Sequence, residues 1–177
     1  MGTRSHPNSP DHPYFVTAVT KDRRPVFRDR RAADLMMTGL RLLRDELGFS
    51  LLAYVVMPDH VHLLLVPGDG SDLGHIMQLT KGRFARLWNK EIGSSGSIWQ
   101  PRYYESAVRT QEQLARWIGY IDRNPVEGRL ARTARDYPYC SAGGSLPVDT
   151  YGYLGGAPIS RAEARLSDIR KDGAGGV

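Results

Sequence analysis

Cysteine is almost absent from this chain. Its 177 residues hold one, Cys140, so an internal disulfide is excluded, and no C-x-x-C pair is present to build a structural zinc site. Long apolar runs are missing as well. Nothing reaches the length of a membrane span and no apolar leader opens the chain, so the expectation is a cytoplasmic protein without a membrane partner. There is no H-E-x-x-H and no Asp/Glu cluster near the histidines, which removes the common zinc-hydrolase patterns. Internal repeats are lacking too.

What the chain has in quantity is arginine. The count of 24 Lys+Arg against 19 Asp+Glu leaves a net charge of +5, and the basic residues are nearly all arginine, the side chain best shaped for bidentate phosphate contacts. A polyanionic partner is favoured. With 41% hydrophobic residues, the chain can enclose one core of ordinary domain size.

Residues 1–13, rich in Pro, Ser and Asn, read as an irregular arm. YFVTAVT (14–20) has the β-branched and aromatic content of a strand. After an arginine-rich loop, Leu35, Met36, Leu40, Leu43 and Leu47 mark an amphipathic helix that Gly48 should stop. Residues 49–56 and 60–66 read as two strands of an antiparallel hairpin turning at Met57-Pro58-Asp59. Ser71 is the expected N-cap of a second helix over 72–90, with Leu73, Ile76, Met77, Phe84, Leu87 and Trp88 inward. His75, Arg83, Arg86 and Lys90 form a basic flank on it. A fourth strand is expected over 103–109 and a third helix over 111–124. Residues 141–177 read as an irregular, partly disordered tail, with a short capped helix at Ser160 to Glu163.

Strand, helix, strand, strand, helix, strand is an α+β order, the β-α-β-β-α-β arrangement of ferredoxin-like and RNA-recognition-like sheets. In it the third strand is central, both helices cover one face and the other face is open. Alternation then sends Val61, Leu63 and Leu65 under the helices, and His60 and His62 to the open face. Imidazoles at i and i+2 stand side by side, close enough to share one metal ion, but a pair does not complete a coordination sphere. On the third helix Tyr120 and Asn124, four apart, lie along one edge of the stripe formed by Leu114, Trp117, Ile118 and Ile121. From there both can look over the open face.

In the order MPDHVHLLL, LTKGRFARLWN, SIWQPRYYE and YIDRNPVEGRL, the chain from about Tyr14 to Ser141 resembles the HUH-type single-tyrosine transposases of the IS200-like class, above all the REP-associated tyrosine transposases. The resemblance implies a transposase domain over 14–140 whose third helix carries the nucleophile. It implies metal ligation by His60 and His62, with Asn124 standing where related insertion-sequence enzymes commonly carry Gln, and Tyr120 as nucleophile. It implies Mg²⁺ or Mn²⁺, where ligand chemistry alone leaves the metal open, imidazole suiting zinc, manganese and nickel and an amide oxygen magnesium or manganese. The implied partner is single-stranded or hairpin DNA, cut and rejoined through a 5′-phosphotyrosine. Two assemblies stay open: a homodimer whose tyrosine serves its partner, or a monomer. Lys81, Arg83, Arg86 and Arg102 are the candidate DNA contacts, and Trp99 and Tyr103 candidate base-stacking residues. The competing readings are a non-catalytic binder of single strands and a phosphoesterase that uses water.

Overall fold

The computed structural model describes residues 12–151, 153–154 and 157–158. Most of the proposed N-terminal arm, the helix expected at 160–163 and the chain end lie outside them. The ordered elements are β1 (Tyr14–Val19), α1 (Arg30–Leu47), β2 (Ser50–Met57), β3 (His60–Val66), α2 (Leu73–Glu91), β4 (Tyr104–Ala107), α3 (Gln111–Glu127), and a two-residue pair, β5 (Tyr153–Leu154) with β6 (Ala157–Pro158). The four long strands form one antiparallel sheet in the order β2-β3-β1-β4, with β3 and β1 central, as the split β-α-β order requires. No helix among the described residues is long and apolar enough to cross a membrane.

The helix boundaries follow local chemistry. Asp29 caps α1 by accepting from the Arg31 amide, and Gly48, at φ 66°, ends it in the left-handed conformation that glycine adopts without strain. The cap of α2 is Asp72 rather than Ser71, its carboxylate accepting from the His75 amide, so the helix starts one residue later than expected. The fourth strand is shorter than expected, running from Tyr104 to Ala107. α3 does not stop at Asn124: it carries Pro125 inside and ends at Glu127. The Pro125 ring removes one backbone donor, yet the turn closes because Gly128 N–H still reaches Asn124 O at 2.8 Å.

Side-chain alternation divides the core. Val16, Ala18, Val61, Leu63 and Leu65 are packed beneath α1 and α2 with Met36, Leu40, Leu43, Ile76 and Met77. Leu87 does not join them and remains 43% exposed. The other face is not open throughout. Phe15, Val55, Met57 and Leu64 pack there against Leu114 and Ile121 of α3 and against Cys140, a second apolar cluster that bare strands would have left in water. The cover is partial and leaves the end of the sheet nearest His60 accessible. Val55 pairs directly with His62 and so shares its face, and a register shift between Leu51 and Ala53 interrupts the ladder farther along β2.

The chain stays packed beyond residue 140. Leu146 is buried, and Asp149 accepts from the Leu51 amide at 2.9 Å and from Arg44 at 2.8 Å, holding the segment along β2.

Candidate active site

The hairpin turn is tied down before it delivers the histidines. Pro58 O accepts from the Phe27 amide and Asp59 O from the Thr20 amide, each at 2.9 Å. His60 and His62 then stand on the partly covered face, ring centroids 4.7 Å apart. β1 lies alongside, setting Thr17 opposite His62 and Val19 opposite His60. Asp59 Oδ1 lies 2.6 Å from His60 Nδ1. A carboxylate only accepts, so His60 carries its proton on Nδ1 and keeps the Nε2 lone pair available. Burial works to raise the Asp59 carboxyl, but the hydrogen bond and charge of His60, together with Arg23, outweigh it and hold the group below the ordinary carboxylate value.

His62 is more deeply set. It is 4% exposed, its Nδ1 is 2.8 Å from Thr17 Oγ1, and its Nε2 is buried without a hydrogen-bond partner. Burial, reinforced by the adjacent His60, pushes its pKa down to about 3, so the ring is neutral near pH 7. Asn124 faces the ring closely enough to oppose that shift, though outside hydrogen-bonding geometry. An orphaned buried nitrogen of this kind is costly unless something electrophilic sits against it.

α3 brings the remaining groups. Leu114 and Ile121 anchor it, and its edge presents Tyr120 and Asn124 to the histidines. The Tyr120 ring stands 5.2 Å from His62, centroid to centroid. Asn124, 8% exposed, gives its amide N–H to Tyr120 O at 2.8 Å, which turns its side-chain oxygen away from that bond. Pro125, which sequence logic takes for a helix stop, is instead the turn that carries Asn124 inside. Phe15 stacks on Trp117 with centroids 3.8 Å apart and planes 6° from parallel, fixing the helix over β1.

These groups line one cleft of about 560 Å³, bounded by Phe15, Thr17, Val19, Arg23, His60, His62, Tyr104, Trp117, Tyr120 and Asn124. All four chemistry-bearing residues expected from the sequence therefore converge in one chain. Among the described residues no three His, Cys, Asp or Glu side chains group to hold a metal, so an ion here would need the Asn124 amide beside the two imidazoles.

The candidate DNA contacts separate. Arg102 is exposed and enters β4 at the His60 end of the sheet, where Gln100 N–H bonds Val19 O at 2.9 Å. Lys81 spends its ammonium on the carbonyls of Gln100, Pro101 and Arg102. Arg83 is held bidentately by Glu46 of α1, and Arg86 is exposed on the same helical layer, behind the sheet from the cleft. Trp99 is core: 5% exposed, packed on Phe27 and Phe84, its indole N–H on Lys81 O at 3.0 Å. Tyr103 packs partly against that same core, and its neighbour Tyr104, 57% exposed, faces the cleft. Thr17, Asp59, Arg23 and Tyr104 are members of the site that sequence reading passed over. A polar Thr17 in an apolar strand was the one available signal; the others needed the register.

A family model described as "Transposase IS200 like" matches residues 9–124. The chain belongs to the IS200-like tyrosine transposases. This transposase is 26% identical over 145 residues to a REP-associated tyrosine transposase of Escherichia coli (strain K12), covering 78% of this chain and 84% of that protein. A Haemophilus influenzae protein given the same description provisionally is 26% identical over 148 residues, with the same coverage. A solved structure of a REP-associated tyrosine transposase bound to a REP hairpin superposes with a TM-score of 0.67 at 23% identity, covering 86% of this chain and 92% of the other. At that identity the likeness supports the shared fold. Family membership makes the transposase a DNA strand transferase.

Proposed function

We propose that the transposase cleaves and rejoins single-stranded DNA at hairpin sites, with Tyr120 as the nucleophile and a divalent ion, Mg²⁺ or Mn²⁺, held by His60, His62 and Asn124. The observation that carries this reading is the 5.2 Å separation of the Tyr120 and His62 rings within one cleft of about 560 Å³. The unpartnered Nε2 of His62 and the oriented Nε2 of His60 supply two lone pairs, and the Asn124 oxygen a hard third donor. When bound, the ion would neutralise charge on the scissile phosphate.

The protein side of the reaction is positional. Tyr120 Oη forms a bond to phosphorus as the bond to the 3′ oxygen breaks; the phenol gives up its proton and the departing oxygen gains one, leaving a 5′-phosphotyrosine and a free 3′-hydroxyl. Phenolate is a better leaving group than an alkoxide, so the linkage can be reversed onto another strand without an external energy source. Asp59 and Thr17 keep both imidazoles in fixed orientation, and Tyr104 offers an exposed ring on which an unpaired base can stack. Tyr120 stands against His62 of its own chain, an arrangement in which one protomer would carry the first cleavage. Arg102 serves the strand at the cleft rim, Lys81 holds the segment that carries it, and Arg83 and Arg86 reach only DNA that extends behind the sheet.

The test is a labelled hairpin from the flanks of the protein's own gene, incubated with Mn²⁺ and resolved under denaturing conditions. A covalent adduct is expected from the wild type, none from Tyr120→Phe, and a loss of at least about 100-fold from His60→Ala. Cleavage retained by Tyr120→Phe would shift the case to water as nucleophile. Binding without cleavage on every hairpin would leave a strand-binding module.

A further inference from the structure

Among the described residues that line the cleft, Arg23 alone carries a permanent positive charge. Its guanidinium is tethered by one ion pair, Nη1 to Asp59 Oδ2 at 3.1 Å, and its side chain is otherwise 67% exposed. The same carboxylate orients His60 through its other oxygen. One acid thus fixes both a ring and a cation at the same end of the cleft.

The backbone beneath Arg23 is unusual. Asp22 and Arg23 both adopt positive φ, 56° and 51°, a conformation that side chains other than glycine rarely take. Two such residues in succession persist only where the surroundings over-determine them. Here they do: Lys21 N–H bonds Ile98 O at 2.8 Å, Thr20 Oγ1 donates to Arg24 O at 2.7 Å, and Arg24 Nη2 reaches Ser97 O at 2.8 Å. The strained turn is clamped on both sides, and what it projects into the cleft is the guanidinium.

We propose that Arg23 is a phosphate-binding residue of this cleft, contacting a non-bridging oxygen of the strand that lies across His60 and Tyr120. The inference rests on the Tyr120 reading above. Asp59 supplies one anchoring oxygen and leaves the rest of the guanidinium fork for substrate, the geometry in which arginine outperforms lysine. Since the tether is a partly solvated pair, a phosphate can share the fork without the cost of uncovering a buried charge.

Two arms test it. In a Tyr120→Phe background, binding of a fluorescent hairpin with a single-stranded flank is followed against KCl concentration; Arg23→Gln should reduce the slope of log affinity against log salt by about one, and Arg23→Lys should restore it. In the cleaving protein, Arg23→Gln should slow adduct formation about 10- to 100-fold, with Arg23→Lys recovering only part of the rate. A purely structural role would lower the melting temperature of Arg23→Gln and leave the salt slope unchanged. An unchanged slope overturns the proposal. Absence of any adduct from the wild type would count against Tyr120 as nucleophile, while the binding arm would still judge Arg23.

Discussion

His62 is where proton chemistry and folding meet most directly. Its pKa falls from an ordinary 6.5 to about 3 on folding, because the ring is buried beside another imidazole. Between those values the unfolded chain binds a proton that the folded chain refuses, so stability decreases as pH falls through 6.5 toward 3; above 6.5 both states are neutral and the ring contributes no slope. The slope from this one group approaches at most about 1.4 kcal/mol per pH unit. Denaturant midpoints of the metal-free protein, taken from pH 7 to pH 4, should show this fall, and His62→Gln should flatten it. Equal slopes in the two proteins would mean that the ring is protonated in the folded state. At the same scale, Thr17 and Asp59 show why a pair of histidines needs neighbours: each takes one Nδ1, and only then do both Nε2 atoms have a defined role.

Among the elements, α3 decides whether there is a site at all. The nucleophile, the third candidate ligand and the ring that stacks on Phe15 all ride on it, and its seat is the apolar contact of Leu114 and Ile121 with the sheet. Ile121 is fully buried and precedes Asp122 on the turn between Tyr120 and Asn124. Ile121→Ala should cost about 2–5 kcal/mol of stability, seen as a shifted denaturation midpoint, and should lower the adduct rate even where the protein remains folded, because the helix loses its anchor next to the tyrosine. Leu42→Ala, at a position 53% exposed on α1, is the control and should change stability by less than about 0.5 kcal/mol. Loss of stability without any change in rate would show that α3 holds its place through Trp117 and Phe15 alone.

For the whole molecule, the segment after α3 closes one edge of the sheet. Val55 bridges to Cys140, and Asp149 bonds both N–H and C=O of Leu51, by its carboxylate and its own amide, while also pairing with Arg44. An exposed strand edge invites pairing with another chain, and this wrap blunts it. Asp149→Ala leaves the Leu51 amide without its partner, an expected loss of about 1–3 kcal/mol. Hydrogen exchange should accelerate at Leu51 and remain slow at Leu63 in the central strand. Uniform protection at both amides would mean that the wrap contributes nothing to the edge.

The linear order of residues determined a good deal by itself. Alternation in HVHLLLV assigned His60, His62 and Leu64 to one face and Val61, Leu63 and Leu65 to the other, because a strand's period of two leaves no freedom once one face is buried. The element order carried the sheet topology, and the spacing of Tyr120 and Asn124 placed them on one helix edge. Other features were settled only by folding. Arg83 looks like a free cation on a basic flank until α1 supplies Glu46; Tyr104 and Tyr103 are indistinguishable until β1 fixes which faces the cleft; Pro125 reads as a stop until packing carries the helix through it. Arg23 stood in a run of charges with nothing to single it out. Each of these depends on a neighbour distant in sequence, and periodicity reports only on neighbours along the chain. The site exists because a hairpin and a helix some 60 residues apart are brought together by a shared apolar seat, with Ile121 and Leu64 buried in one cluster.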